Sequence, residues 1–284
     1  MKYQARDIPE GINVTKVHPL RELAVLLGGA AFLLALLIYV LGLSAGHLAR
    51  YIPFDLELDL ASRFPGEEAG QAEVTAYLEQ LAERVTDAMG LPDGMTIRVR
   101  YTDADTVNAF ATLGGNVVLF RGLLEKLPSE NALAMLLAHE IAHVKHRDPI
   151  VSAVRGLTVY AVLTLVLGQG ELDALGHFGL FTVLHFSREM ERDADRAALD
   201  AVNRLYGHTR GAEELFHVIH AYREEVGEKE GIAFLQTHPL DQERIDAIST
   251  RAEEEGWARV GGSTPIPSAV IDAMSMDSER TDGL

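Results

Sequence analysis

The sequence predicts a mainly helical α+β domain with a small β-sheet, preceded by an N-terminal transmembrane helix. Residues 23–43 form a run of 21 residues without a charge, which at about 1.5 Å per residue can cross a hydrocarbon core of roughly 30 Å. Residues 95–120 show the period-two alternation of short strands. Most of the remaining chain from residue 71 onward instead has apolar residues at the three- or four-residue spacing of helices.

The composition narrows the possible functions. The chain has 284 residues, of which 48% are hydrophobic, and this is enough for one sizeable domain with appendages. A formal net charge of −17 disfavours nucleic-acid binding, because such a surface repels a phosphate backbone. No cysteine is present, which excludes disulfides, thiolate metal ligands and a cysteine nucleophile. No GKS or GKT phosphate-binding sequence occurs, so nucleotide binding has no support.

We interpret residues 22–43 as a retained transmembrane signal anchor. The apolar part of a cleaved signal peptide has about 7 to 15 residues and ends in a small-x-small site, of which residues 44–46 are a poor version. A cleaved signal is the alternative. Four basic residues precede the run and only Arg50 and Arg63 follow within the next twenty residues. This asymmetry predicts a cytoplasmic segment at residues 1–21, with the remaining chain extracytoplasmic, or periplasmic at a Gram-negative inner membrane.

The rest of the chain is divided by composition. Residues 44–70 are predicted to be a juxtamembrane linker, because Pro53 and the Pro65-Gly66 turn interrupt any regular pattern there. Residues 71–260 are predicted to form the domain. From residue 261 onward Gly, Ser, Pro, Thr and Asp dominate, which predicts a disordered tail over residues 261–284.

The domain is predicted to begin with an amphipathic helix and a small sheet. Apolar residues recur at helical spacing over residues 71–89, and Gly90 is suited to end that helix. Three strands are then predicted at residues 96–101, 107–112 and 117–120.

A buried helix after the strands contains a HExxH motif, the pattern of a zinc-dependent hydrolase. Ser129 is suited to the N-cap, and residues 132–144 are apolar almost all round. His139 and His143 are four residues apart, so both can bind one metal ion from the same helix face. Glu140 lies between them and can accept a proton from a metal-bound water. A chance match in a core helix is the alternative.

A catalytic zinc ion takes three protein ligands and leaves the fourth position to water. The segment at residues 187–195 offers the third ligand. On a helix, Glu191 and Asp195 share one face, so Glu191 can bind the metal while Asp195 accepts the outer N–H of a ligating histidine. A charged, solvated helix face is the alternative for this segment. His146 is disfavoured as a ligand, because it follows His143 by only three residues.

Residues 150–186, between the two ligand-bearing helices, are predicted to form an apolar helical hairpin. The uncharged part of its first half, residues 156–168, has 13 residues and is too short to span a bilayer alone. Its second half also contains His177 and His185. The hairpin can pack on the core, contact the membrane or form a lid over the site, and its apolar character favours the last two placements.

These motifs resemble family 48 of the metallopeptidases, a gluzincin family with HtpX-like, Oma-type and CAAX prenyl endopeptidase branches. The sequence HEIAHVKHRDP at residues 139–149 matches it, and the SRxxExxAD motif of the family matches at residues 187–195. Two further segments agree, at residues 108–119 and 237–245. The resemblance runs from about Val74 to Ala252, with four motifs in family order.

The resemblance implies a zincin-like (gluzincin) domain with one Zn²⁺ per chain and the ligands His139, His143 and Glu191. It also implies an edge strand that holds an extended peptide through main-chain hydrogen bonds, with the substrate-binding residues Asn108, Ala109 and Phe110.

The resemblance further implies catalytic roles for His238 and Arg244, with His238 as a donor to the oxyanion of the tetrahedral intermediate. A turn residue is the alternative role for Asn108, and a helix cap is the alternative for His238.

The predicted function is a membrane-anchored zinc endopeptidase that acts on protein substrates through a metal-activated water. The resemblance implies clearance of misfolded membrane or envelope proteins. The alternatives are a chaperone-like peptide-binding protein with little or no turnover, and a membrane scaffold with structural zinc. A binding module gains nothing from Glu140, and a structural site has four closed protein ligands where the motifs supply three. Both facts favour the enzyme.

Overall fold

The computed structural model describes residues 18–63, 71–167, 186–226, 234, 238 and 242–281. The predicted cytoplasmic segment 1–21 and the second half of the predicted hairpin therefore lie almost entirely outside the described residues. The helices are α1 (Pro19–Ala49), α2 (Phe54–Ser62), α3 (Ala72–Met89), α4 (Arg121–Leu124), α5 (Glu130–His146), α6 (Asp148–Leu167), α7 (Arg188–Tyr206), α8 (Arg210–Val226), α9 (Gln242–Glu254) and α10 (Ser268–Thr281). The strands are β1 (Arg98–Thr102), β2 (Ala109–Thr112) and β3 (Asn116–Phe120).

The three strands form one sheet in the order β1-β3-β2. β1 pairs with β3 in parallel, from Arg98 opposite Asn116 to Thr102 opposite Phe120. β2 pairs with β3 antiparallel and is an edge strand of the sheet as the structure describes it. The prediction of a mainly helical α+β fold with a small sheet and a long N-terminal helix is confirmed.

Helix α5 is the centre of the core. Every residue from Glu130 to Val144 is buried, so the helix is enclosed on all sides, as its apolar sequence predicts. The Ser129 side chain accepts a hydrogen bond from the backbone N–H of Ala132 and caps the N-terminus. Helices α3, α7 and α8 pack around α5. The buried small residues Ala194 and Ala198 of α7 belong to the same hydrophobic core as α5 and leave room for close packing.

The predicted linker at residues 44–70 contains ordered structure. Helix α1 continues to Ala49, and α2 packs against the turn between β2 and β3. The Glu57 carboxylate of α2 is buried and accepts a hydrogen bond of 3.1 Å from the backbone N–H of Gly114. It also pairs with Arg147, whose nitrogen lies 2.8 Å away. A buried carboxylate needs such partners, so α2 docks on the domain at a defined position.

The prediction of a disordered tail over residues 261–284 is wrong for the part of it that the structure describes. Helix α10 buries Val270, Ala273 and Met274 and packs against α3. These residues follow Ile266 at helical spacing and join the main core. The polar composition of the segment concealed one apolar face, and a short amphipathic helix needs only that face to pack.

Helix α1 is the one described helix that is long and apolar enough to cross a membrane. Its length and composition are those of the predicted span at residues 22–43, and it extends beyond that span at both ends.

The sequence at residues 42–46 has the form GxSxG, but it lies inside this continuous helix, where the Ser44 hydroxyl donates to the carbonyl of Val40. It therefore lacks the strand-to-helix turn of a serine hydrolase.

Candidate metal centre

The three predicted ligands meet at one point inside the protein. Helix α5 brings Nε2 of His139 and Nε2 of His143 to 3.2 Å from each other. Helix α7, which begins after the N-cap residue Ser187, brings the Glu191 carboxylate to 3.4 Å from the first nitrogen and 3.5 Å from the second. Ligand atoms placed tetrahedrally around zinc at its usual bond lengths lie about 3.3 Å apart. The observed separations fit one such ion.

His238, which the resemblance predicts as a catalytic residue, joins this group. Its Nδ1 lies 3.1 Å from Glu191 Oε1 and 3.3 Å from His139 Nε2. The ligand atoms of the four residues all lie within 4.8 Å of one another, and all four side chains are buried. The His238 ring stacks on Phe234, with ring centroids 4.8 Å apart. His238 is therefore positioned either to contact a molecule at the metal or to bind the metal itself.

Two aspartates fix the orientation of the histidine rings. Asp195 Oδ1 lies 3.0 Å from Nδ1 of His139, and Asp148 Oδ2 lies 2.9 Å from Nδ1 of His143. When each Nδ1–H donates to its carboxylate, Nε2 remains free to bind a metal. Phe186 also stacks on His143, with ring centroids 4.0 Å apart. The sequence motifs indicated Asp195 but not Asp148. Asp148 follows His143 by five residues, at the start of the next helix. This closeness in sequence was the one feature from which its contact with His143 could have been predicted.

Arg244 contacts two carboxylates of the site. Its guanidinium donates two hydrogen bonds to Asp195, of 2.7 and 2.8 Å. A further nitrogen, Nη1, lies 2.8 Å from Glu191 Oε2. The buried guanidinium thus holds both carboxylates in place. The bidentate geometry explains why an arginine occupies the position. The catalytic role of Arg244 stays a prediction.

Glu140 is fully buried, and neither of its carboxylate oxygens has a hydrogen-bond partner among the described residues. The Nε2 atom of His238 lies 3.5 Å from Glu140 Oε1. A buried carboxylate without partners is costly. A water molecule bound to an ion at the neighbouring ligands would donate to Glu140 and remove this cost. The residues present therefore fit a metal ion with a bound water.

The electrostatics of the site favour a cation. Burial acts to lower the pKa of His139, but the hydrogen bonds and charges of Asp195 and Glu191 outweigh it and raise that pKa to about 10. Burial acts to raise the pKa of Glu191, but the charge of His238 and hydrogen bonds from His139 and His143 hold it well below its usual range. The pocket thus stabilises positive charge, and a metal ion that binds there displaces protons.

The predicted substrate-binding residues lie at and just before strand β2. Ala109 is buried and pairs with Leu119 of β3. Phe110 is half-buried, and its ring contacts that of Phe120 at a centroid distance of 6.0 Å. The backbone carbonyl of Asn108 accepts a hydrogen bond from the backbone N–H of Phe120. The side-chain Oδ1 of Asn108 has no partner among the residues described. Strand β2 packs on α5, so this edge lies beside the helix of the metal ligands.

Two histidines from a HExxH helix and a glutamate from a second helix define a gluzincin type of metal centre. The model of Peptidase family M48 matches residues 72–252. The chain therefore belongs to peptidase family M48, and the matched residues include every part of the metal centre.

The similar proteins are all named as proteases. The chain is 31% identical over 180 residues to the mitochondrial metalloendopeptidase OMA1 of Schizosaccharomyces pombe, covering 61% of this chain and 52% of the relative. It is 29% identical over 161 residues to a putative beta-barrel assembly-enhancing protease of Vibrio cholerae, covering 52% and 33%. It is 34% identical over 145 residues to a protease HtpX homolog of Aeropyrum pernix, covering 50% and 41%. The chain thus spans between about a third and a half of the length of these relatives.

Proposed function

We propose that this protein is a membrane-anchored zinc endopeptidase that hydrolyses peptide bonds in protein substrates. The observation that supports this most directly is the buried carboxylate of Glu140, which has no hydrogen-bond partner among the described residues, beside the group of His139, His143 and Glu191. A structural metal site has no use for such a carboxylate, because an uncompensated buried charge only destabilises the fold.

The chemistry assigns a separate task to each residue. A zinc ion, when bound, lowers the pKa of its water and polarises the carbonyl of the scissile bond. Glu140 accepts the proton of the attacking water and passes it to the leaving amine. Asp195 and Asp148 hold the two histidines in the tautomer that binds metal, and Arg244 holds Glu191.

The substrate would bind as an extended strand at β2. The edge of β2 that is not paired with β3 would supply backbone N–H and C=O groups, which recognise any sequence through main-chain hydrogen bonds. At the start of this strand, the buried side-chain oxygen of Asn108 has no partner among the described residues. Such recognition suits unfolded or misfolded segments, whose backbone is accessible. We infer that misfolded membrane or envelope proteins are the substrates, in keeping with the similarity of this chain to proteins named as proteases.

Removal of the metal tests the proposed function. Dialysis against a chelator is expected to abolish hydrolysis of an unfolded protein such as casein, and one equivalent of Zn²⁺ per chain is expected to restore it. Metal content and product formation are measured on the same samples. A protein that binds one equivalent of zinc and binds casein, yet forms no product at any zinc concentration, would instead be a chaperone-like peptide-binding protein.

The orientation in the membrane is the next part of the proposal. Basic residues are concentrated before the apolar run, which favours a cytoplasmic N-terminus and an extracytoplasmic, periplasmic domain on a single-pass anchor in the inner membrane. A reporter enzyme that is active only after export, fused after residue 70, is expected to be active. The same reporter fused before residue 19 serves as the control and is expected to be inactive. The reverse pattern would overturn this orientation.

We further propose that His238 donates to the oxyanion that forms during hydrolysis. Replacement of His238 by alanine is then expected to lower kcat by about 10²-fold or more, the usual cost of losing such a donor. KM should change less, because the interaction forms mainly in the transition state. The measurements are steady-state kinetics on an unstructured peptide together with zinc content, and His220→Ala, at an exposed histidine, is the control.

A different result would assign His238 another role. If His238 is mainly a fourth ligand that closes the metal, its removal weakens zinc binding and opens the water position, and kcat stays the same or rises. Unchanged kcat in zinc-loaded His238→Ala protein therefore contradicts the donor role.

A further inference from the structure

Helix α6 covers one face of the apolar helix α1. Every residue of α1 is described, and most of them are exposed. The covered ones recur at three- or four-residue spacing along a single face, namely Leu34, Ile38, Gly42, Ala45, Gly46 and Ala49. This face spans about four helical turns, or about 22 Å at the usual rise per residue. α6 packs against α1.

The contacts at one end fix the direction of α6. Ala49 and Val151 belong to one hydrophobic cluster, and a Cβ atom on Gly46 would lie 2.4 Å from Nε of Arg155. The start of α6 thus touches the end of α1. Because α6 continues for a further twelve residues to Leu167 and packs along α1, it runs antiparallel to α1. Residues 156–167 therefore lie beside residues 34–45, within the part of α1 that is apolar enough to cross a membrane.

The outer surface of this second helix is itself apolar. Leu157 is 65% exposed, Leu165 is 87% exposed, and no charged residue occurs between residues 156 and 167. The hydroxyls of Thr158 and Thr164 donate to the carbonyls of Val154 and Tyr160, both at 2.8 Å. These two threonine hydroxyls are thus satisfied within the helix, which is what a hydrocarbon environment demands.

Charged residues begin where the two helices reach the domain. A cavity of about 470 Å³ lies there between α1, α6 and the start of α7. Its lining includes His47, Arg50 and Arg155 together with Glu189 and Asp193. Basic side chains at the end of an apolar helix pair are typical of the headgroup level of a membrane. This change from an apolar to a charged surface places the water boundary near Gly46 and Arg155.

We propose that α6 is embedded in the lipid bilayer beside α1, as a helix that enters the bilayer from the domain side without crossing it. This inference rests on the proposed anchoring of α1. Twelve residues reach about 18 Å, roughly three fifths of a 30 Å core, so the apolar run that is too short to span alone is long enough to enter. Asp148, which orients His143, precedes Arg155 by seven residues, or about 10 Å of helix. The metal centre consequently sits at the membrane surface, where membrane proteins present their unfolded segments.

The absence of cysteine from the chain allows a direct test. Single variants Leu165→Cys and Leu157→Cys carry a nitroxide label in the full-length protein, reconstituted in phosphatidylcholine vesicles. Val260→Cys, at a residue of the domain that is 78% exposed, is the aqueous control. Leu33→Cys, on the exposed face of α1, is the membrane control. The accessibility of each label to oxygen and to a water-soluble nickel complex is measured by electron paramagnetic resonance.

The expected result is that the label at residue 165 matches the label at residue 33. Both should be several-fold more accessible to oxygen than to nickel, residue 157 should lie nearer the surface, and residue 260 should show the reverse preference. A label at residue 165 that behaves like residue 260, while residue 33 stays in lipid, would overturn the embedding of α6. Nickel access at residue 33 would overturn the anchoring of α1 as well. Neither readout depends on proteolysis, so the outcome is separate from the test of the enzymatic function.

Discussion

The Glu191→Ala variant is expected to lose both zinc and hydrolysis. Glu191 is the only ligand of the predicted set that comes from α7, and its oxygens lie within 3.5 Å of both ligating histidine nitrogens. Removing an outer residue that merely orients a ligand costs about 10- to 100-fold in metal affinity or activity. Loss of the ligand itself should cost more than about 100-fold in zinc affinity, and hydrolysis should fall below detection.

The measurement is zinc content after dialysis, together with peptide hydrolysis. Glu189→Ala is the matched control, because Glu189 is an exposed glutamate in the same first turn of α7. It should retain both zinc and activity. Full zinc occupancy in Glu191→Ala would mean that His238 completes the ligand set in its place, since His238 Nδ1 lies 3.1 Å from the same carboxylate.

The sequence predicts those parts of the site whose residues lie close together in the sequence. The HExxH spacing determines that His139 and His143 share a helix face, and a single helical turn relates Glu191 to Asp195. Such relations are independent of the rest of the fold. The agreement of four motifs in order then places the two helices together, because the resemblance supplies the long-range pairing that local periodicity lacks.

The parts that the sequence does not predict depend on long-range packing. The contacts of Arg244 with Asp195 and Glu191 depend on the placement of α9 against α7, which the motif position of Arg244 does not specify. The tail helix α10 is stabilised by its contact with α3, some two hundred residues earlier in the chain. Its polar composition does not reveal that contact and therefore predicted disorder. The docking of α2 likewise depends on Arg147, which the sequence separates widely from Glu57. Composition describes a segment by itself and omits the partner that orders it.

Replacement of Glu140 by glutamine is expected to abolish turnover while preserving the fold and the metal. Glutamine has nearly the same shape as glutamate but does not accept a proton, and general acid–base catalysis contributes about 10²- to 10⁴-fold. kcat should fall by at least that range. Zinc content should be unchanged, because Glu140 is not among the grouped ligand atoms. The free energy of unfolding should stay the same or rise, because an unpartnered buried charge is removed.

Glu130 of the same helix provides the contrasting variant. Its carboxylate accepts hydrogen bonds from Tyr77, Arg84 and Tyr206, at 3.0, 3.0 and 2.9 Å. Glu130→Gln should therefore lower the free energy of unfolding by about 1–3 kcal/mol, since it breaks charge-assisted hydrogen bonds, and should leave kcat nearly unchanged. Peptide kinetics and chemical denaturation of the two variants measure both quantities. Turnover that survives in zinc-loaded Glu140→Gln protein would contradict the assignment of Glu140 as the base. Among the described buried carboxylates, Glu140 alone has two oxygens without a hydrogen-bond partner.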